Sequence, residues 1–312
     1  MDSLDTRKTV FTTRRLFTVS LITFGYLLLS YWLIGFRMDQ VYLVTLFAGC
    51  YFASSISRKF IIGFSIFIVY WIIFDYMKAF PNYLFREVSL ESLYQTEKNI
   101  FGIHHGNRWL TPNEYWLFHH TTWLDILTGL FYLSWVPVPL AFATFLFFRN
   151  RTEFLYFSLT FLLVNLMGFI IYYLYPAAPP WYIQQHGFTF ISSTPGNTAG
   201  LERFDMYFHS TIFKGLYSKS SNVFAAMPSL HSSYPVIVLY YGLKNKLGRI
   251  NLFFGIVMLG IWFSAIYNSH HYVLDVLAGI SCAITGIYLF EWLKEKKTTQ
   301  SFLQMFVRAI SQ

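Results

Sequence analysis

Long apolar stretches bounded by charged residues dominate the chain, and their lengths approach what a helix needs to cross a bilayer. A span of the ~30 Å hydrocarbon core takes ~20 mostly apolar residues. Eight segments read this way, at 16–36, 41–57, 60–76, 126–148, 154–175, 229–243, 250–267 and 271–293. Several are short, and Pro137 with Pro139 predicts a kink in the fourth, since proline removes a helical hydrogen bond and clashes with the preceding turn. Polar residues are unevenly distributed among them. The first three segments hold little besides Asp75, whereas the last three carry His and Asp at one end, so the chemistry is expected in the C-terminal half.

The connections alternate in charge. Arg7, Lys8, Arg14 and Arg15 precede the first segment, and Arg58/Lys59, Arg149/Arg151, Lys244/Lys246/Arg249 and Lys294/Lys296/Lys297 fall at every second junction. The positive-inside rule places these junctions and both termini in the cytoplasm. No small-residue cleavage pattern follows the first segment, which reads as a retained anchor. Two long connections, 78–120 and 176–228, then lie on the outer side. Connections of that length usually build or cover a functional site. Short interfacial helices are expected in both, with Tyr83, Phe85, Tyr94, Trp109, Tyr115, Trp116, Trp181 and Tyr182 suited to the headgroup layer.

Composition agrees: 55% hydrophobic, 21% aromatic and 12% charged residues exclude a water-soluble domain. The formal charge of +8 is accounted for by orientation and anionic headgroups, and no basic patch interleaved with aromatics points to a nucleic acid. Cys50 and Cys282 fall inside predicted spans, where a free thiol acts as a small hydrophobe, so no disulfide is expected.

Two constellations carry chemistry. Asn268-Ser269-His270-His271-Tyr272-Val273-Leu274-Asp275 opens the eighth segment. On a helix, residues four apart share a face, so Asp275 is placed to accept from the His271 ring. A carboxylate that holds one ring nitrogen leaves the other as a nucleophilic lone pair in a defined tautomer. An ionisable residue within a span is a functional-site hypothesis. An interfacial helix-capping histidine is the plainer alternative, and cation ligation by His270, His271 and Asp275 is another, although adjacent helical residues diverge and no HExxH or Cys-based pattern occurs. Ala226-Met227-Pro228-Ser229-Leu230-His231-Ser232-Ser233 opens the sixth segment. Pro in the first turn and a capping Ser mark a helix start, whose free N–H groups suit a phosphate, with His231 beside it to exchange protons.

Pro228-Ser229-Leu230-His231 followed by His271-x-x-x-Asp275 resembles the second and third signature motifs of the type 2 phosphatidic acid phosphatase superfamily. The resemblance implies that His271 attacks phosphorus, Asp275 orients it and His231 handles the leaving-group proton. Departures from the superfamily's hydrolases are informative. No Arg-Pro dipeptide of a first motif occurs, and Ala265 follows Ser264 where those hydrolases carry arginine. Leu174-Tyr175-Pro176-Ala177-Ala178-Pro179-Pro180-Trp181-Tyr182, with Gly200-Leu201-x-Arg203-x-Asp205, His270-His271, Gly102-Ile103-His104 and Thr111-Pro112-Asn113-Glu114, is similar to the inositol phosphorylceramide synthase branch, a group of fungal and bacterial transferases. The resemblance covers about residues 100–293.

The expectation is an all-α polytopic membrane protein of about eight transmembrane helices. Residues 1–99 form N-terminal spans, 100–293 a catalytic core with a six-helix phosphatase-like centre, and 294–312 a cytoplasmic tail. The resemblance implies transfer of phosphoinositol from phosphatidylinositol to ceramide or dihydroceramide through a phosphohistidine, on the non-cytoplasmic face of a bacterial inner membrane or in the Golgi lumen. A lipid phosphate or polyprenyl diphosphate phosphatase is the alternative, and a silent lipid-binding scaffold the third reading. His231, His271 and Asp275 are the catalytic candidates; Ser229, His270, Arg203, Tyr175 and Trp181 are the substrate-binding ones. Arg203 is expected to supply the missing phosphate clamp, with His270 as its alternative. An aromatic wall at 175–182 is expected to exclude water and admit a lipid alcohol. Nothing in the pattern requires a metal or another cofactor, and the partners are lipids.

Overall fold

The computed structural model describes residues 11–218 and 222–311; Arg7 and Lys8 lie outside the described residues. The chain is helical apart from its connections and one small hairpin. α1 (Thr13–Ile34), α2 (Met38–Ala53) and α3 (Ser55–Tyr76) make an N-terminal group joined by tight turns. Ser54 ends α2 and at once caps α3, its hydroxyl accepting from Ser57 N. The first outer connection carries α4 (Glu91–Phe101), the strands β1 (Ile103–His105) and β2 (Arg108–Leu110), and α5 (Pro112–Phe118). Gly106, with φ of 58°, opens the two-residue hairpin turn, a conformation glycine adopts without a Cβ penalty. Thr111 starts α5 through a reciprocal capping box with Glu114.

The fourth expected span divides into α6 (Thr122–Leu133) and α7 (Pro137–Arg149). Pro137 heads the second half, and Trp135 stands at the break. α8 (Arg151–Leu174) follows, then α9 (Pro180–His186), α10 (Glu202–Tyr207) and α11 (Ile212–Tyr217) in the second outer connection. α12 (Leu230–Lys244), α13 (Ile250–Tyr267) and α14 (Val273–Leu293) complete the bundle, and the amphipathic α15 (Lys297–Ser311) packs across α3 and α8.

All eight expected segments are helical, but among the described residues six helices are long and apolar enough to cross a membrane. α2 and α12 are shorter, at 16 and 15 residues. At 1.5 Å per residue α12 extends only ~22 Å, bounded by Pro228 and by the polar Lys244–Asn245 end. It lies against α8, α13 and α14 around a core of Phe147, Phe154, Phe157 and Tyr241. α1 exposes Phe17, Leu21, Phe24 and Trp32, an outer face suited to lipid rather than water.

The cationic junctions collect at one end, where Lys244 and Lys294 share Glu291 and Lys59 reaches Ser311 O. The starts of α12 and α14 lie at the other. They approach closely because Gly279 has no side chain: a Cβ there would stand 2.1 Å from Ser229 O. Ser229 N donates to Asp275 O at 2.9 Å, joining the two sequence motifs through the backbone.

Candidate active site

The end of α13 builds the histidine loop. Asn268 closes the helix, Ser269 adopts φ of 58°, and His270 N and His271 N both donate to Ala265 O at 3.0 Å. A left-handed residue just past a helix lets following N–H groups return to its last carbonyls. The loop is also held from α5, where Asn113 Nδ2 donates to Ile266 O and His271 O at 2.8 and 2.9 Å. α14 begins at Val273, so His271 precedes the helix instead of sharing a face with Asp275 as expected. The extended Tyr272 brings the pair together, and Asp275 Oδ2 accepts from Tyr272 N at 2.8 Å. Glu97 of α4 caps the same helix end, taking Val273 N and Leu274 N at 2.9 and 3.1 Å.

His231 is the second residue of α12. Its Nδ1 lies 3.2 Å from His271 Nε2 and 3.3 Å from Tyr132 Oη, while His271 Nδ1 is 3.6 Å from Asp275 Oδ2. Asp275, His271 and His231 thus form a line. Trp135, delivered by the break between α6 and α7, meets the His231 ring edge-on at 4.5 Å. His270 stacks on Tyr217 at 4.5 Å, and its Nε2 donates to Thr198 O at 2.9 Å. Tyr217 in turn donates to Tyr132 at 3.1 Å. Burial holds the His271 imidazole neutral, lowering its pKa to about 4 against the opposing backbone bond to Ala226. His270 is lowered as well, by burial first and then by its neighbour His271.

A cavity of about 250 Å³ opens beside these rings, lined by His231, His270, His271, Tyr132, Trp135 and Trp181. It continues between α3 and α12 to Trp71, which is half exposed on the outer face of the bundle. Among the described residues no Lys or Arg lines it.

The structure gathers His231, His271, Asp275, His270 and Trp181, and sets the other sequence candidates apart. Ser229 precedes α12 as expected, but it is fully buried behind the cavity, with its Oγ accepting from Ser232 Oγ at 3.0 Å. Pro228 stands before the helix, outside its first turn. Arg203 does not reach the cavity: its Nε donates to Asp125 Oδ1 at 2.7 Å and its guanidinium lies over Tyr267. A buried carboxylate holds its cation strongly, so the expected clamp is already engaged. Tyr175 points outward, its hydroxyl paired with Ser89, so only Pro179 and Trp181 of the expected wall line the cavity. Ala265 is fully buried, in an apolar cluster that includes Leu201, Phe204 and Phe213.

Tyr132, Trp135, Tyr217, Asn113 and Glu97 escaped the sequence reading as site residues. Asn113 sits inside the quoted Thr111-Pro112-Asn113-Glu114 string, and a polar residue in such a helix-start pattern was its only signal. Trp135 had a signal in the two prolines that follow it, whereas Glu97 is one acid on an amphipathic helix and had none.

Residues 104–289, more than half the chain, match the PAP2 superfamily. A phosphoinositol dihydroceramide synthase of Bacteroides thetaiotaomicron is 43% identical over 277 residues, covering 88% of this chain and 91% of that protein. The inositol phosphorylceramide synthase of Candida albicans is 30% identical over 193 residues, 59% of this chain and 40% of the fungal one. The catalytic subunit of the Schizosaccharomyces pombe inositol phosphorylceramide synthase is 32% identical over 167 residues, 52% and 39% of the two chains. No solved structure matches the chain. Paired histidine motifs at the open ends of two adjacent helices, within a matched stretch that runs from β1 into α14, place this integral membrane protein in the PAP2 superfamily.

Proposed function

We propose that the chain transfers phosphoinositol from phosphatidylinositol to ceramide or dihydroceramide, working as a two-step enzyme with a phosphohistidine intermediate. The observation that carries this reading is the line Asp275–His271–His231 at the edge of a mostly apolar cavity that continues to the lipid-facing surface. The names of the bacterial and fungal relatives point to the same acceptor and headgroup.

In the first step His271, held neutral by burial, attacks phosphorus through Nε2, the nitrogen away from Asp275. The N–P bond forms, the bond from phosphorus to the glycerol oxygen breaks, and protonated His231 delivers its proton to that oxygen, releasing diacylglycerol. The entering phosphodiester's charge favours the imidazolium form of His231. Asp275 stabilises the positive charge that develops on the His271 ring. In the second step His231 takes the proton of the ceramide primary hydroxyl, whose oxygen bonds to phosphorus as the N–P bond breaks. With Arg203 committed to Asp125 and the His270 Nε2 proton given to Thr198 O, Tyr132, whose hydroxyl accepts from Tyr217 and lies beside His231, keeps a proton that can turn to the phosphate. The cationic junctions at the far end of the bundle support an outer-facing site under the positive-inside rule.

The test supplies purified protein in nanodiscs with phosphatidylinositol labelled in its headgroup, with and without dihydroceramide. Labelled phosphoinositol dihydroceramide only when the acceptor is present is the expected result. Release of inorganic phosphate from monoester lipids, without transfer, would make the protein a phosphatase.

A further inference from the structure

Below the histidines the cavity wall carries a hydrogen-bonded chain that the transfer steps leave unassigned. Tyr70 of α3 and Tyr234 of α12 both line the cavity, with their hydroxyl oxygens 3.1 Å apart. Tyr234 Oη lies 2.7 Å from Asn165 Oδ1 on α8, and Asn165 Nδ2 donates to Phe161 O at 2.8 Å. Proton directions follow from the inventory of donors. The Phe161 carbonyl only accepts, so it takes the Asn165 amide N–H and turns Oδ1 towards Tyr234. Oδ1 also only accepts, so Tyr234 spends its one proton there. Tyr234 can then meet Tyr70 only as an acceptor, and Tyr70 must donate into the wall. The Tyr70 hydroxyl is left with lone pairs and no proton to offer.

Its ring is fixed. Phe169 stacks on it at 6.0 Å and Phe161 meets it edge-on at 5.5 Å. Its depth is fixed too, because Tyr234 follows His231 by three residues, a rise of ~4.5 Å along the helix. Trp135 touches both rings, at 4.5 and 5.9 Å. A group bound at Tyr70 therefore sits about one helical turn deeper than the reacting oxygen, on the side that continues to Trp71 and the lipid-facing surface.

We propose that Tyr70, oriented by Tyr234 and Asn165, selects the acceptor lipid by accepting a hydrogen bond from a donor carried next to its reacting carbon. This rests on the transfer reading above. Ceramide carries an amide N–H on the adjacent carbon and a hydroxyl on the one after, whereas diacylglycerol has only ester oxygens there. Facing the Tyr70 lone pairs, those ester oxygens gain nothing and lose their solvation. Diacylglycerol is the product released by the first step, so an acceptor-only tyrosine would hinder its return to the phosphohistidine and favour ceramide.

The experiment measures two rates on the full chain in nanodiscs: phosphoinositol transfer to ceramide, and incorporation of labelled diacylglycerol into phosphatidylinositol. Tyr70→Phe should lower the ratio of the first kcat/KM to the second by roughly 3- to 10-fold, the range a single neutral hydrogen bond carries. An unchanged ratio, or a proportional fall in both rates, would overturn the proposal and leave Tyr70 a structural residue. A second measurement needs no variant. Wild-type protein should use N-methylated ceramide or 3-deoxyceramide more slowly than ceramide, which identifies the donor, and should use an analogue lacking both donors most slowly. Equal rates for ceramide and that last analogue would overturn the proposal even if Tyr70→Phe failed to fold. Diacylglycerol exchange without any transfer to ceramide is a separate result, which would remove the transfer reading itself.

Discussion

Two of the aspartates buried at the histidine end of the bundle, Asp125 and Asp275, are held in opposite ways. Asp125, in the first turn of α6, gives Oδ1 to Arg203 Nε at 2.7 Å and to Tyr267 Oη at 2.8 Å, and its Oδ2 lies 3.5 Å from His120 Nδ1. Asp275 is fully buried, and its Oδ2 takes Tyr272 N with His271 Nδ1 3.6 Å away. Its Oδ1 has no hydrogen-bond partner among the described residues. The first carboxylate is saturated and ties α6, α10 and α13 together. The second is left short, with a histidine as its facing group. Buried polar groups are nearly always satisfied, and the exceptions gather where chemistry uses them.

The comparison is tested most severely at the reacting end. His271→Ala should reduce both diacylglycerol release and product formation to background, since no group then remains to carry the phosphoryl group. Retention of a tenth of wild-type turnover would remove its assigned role. Asp275→Asn should lower kcat by ~10³ to 10⁴, because the amide permits the wrong tautomer and cannot stabilise the imidazolium. Its melting temperature should stay near that of the wild type, as an undersatisfied carboxylate contributes little to stability. A collapse of both together would make Asp275 the equivalent of Asp125.

Asp125→Asn should do the reverse. Breaking a buried pair from one side costs about 3 to 5 kcal/mol, so the expected signature is a lower melting temperature with a near-normal KM in whatever protein remains folded. A stable variant that had lost phosphatidylinositol affinity would return Arg203 to the substrate. Trp181→Ala should have a smaller, selective effect. Trp181 is nearly buried yet lines the cavity, and its removal admits water, raising free inositol phosphate relative to phosphoinositol ceramide. Ala265→Arg is not the matching gain of a clamp, because the position is fully buried in an apolar cluster, where a charge is costly.

The smallest effect concerns Glu97, the cap of the α14 end that carries Asp275. Burial, with Asp275 nearby, raises its pKa from the ordinary 4.5 to about 7 against the two backbone bonds it accepts. A carboxyl raised on folding binds its proton more tightly in the folded state, so its contribution is complete below pH ~4.5 and is lost as pH rises towards 7. Wild-type melting temperature should therefore fall across that window by a few degrees more than that of Glu97→Gln. Parallel pH profiles would mean that Glu97 is ionised throughout.

Much of this was legible beforehand. Spacing alone located eight helical segments, the seventh at its observed ends, because a segment that crosses a bilayer must satisfy its backbone internally and be apolar along its length. Among the described residues, however, six helices are long and apolar enough to cross a membrane. His231, His271 and Asp275 stood out because ionisable residues are rare in such segments. The partners of those residues were decided elsewhere. Nothing local distinguishes Arg203 as a phosphate clamp from Arg203 as the counter-ion of Asp125, since the two are 78 positions apart and meet only when α10 packs on α6. Tyr175 and Trp181 belong to one aromatic stretch, yet the backbone pairing of Ala177 with Phe224 and Ser89 turns the first outward and leaves the second in the cavity. Sequence by itself determined which segments are apolar and helical and which histidines stand at their ends, both local consequences of hydrophobicity. Only the tertiary structure decided which charges neutralise each other and which polar groups remain available at the cavity, because desolvation and hydrogen-bond geometry depend on neighbours distant in the chain.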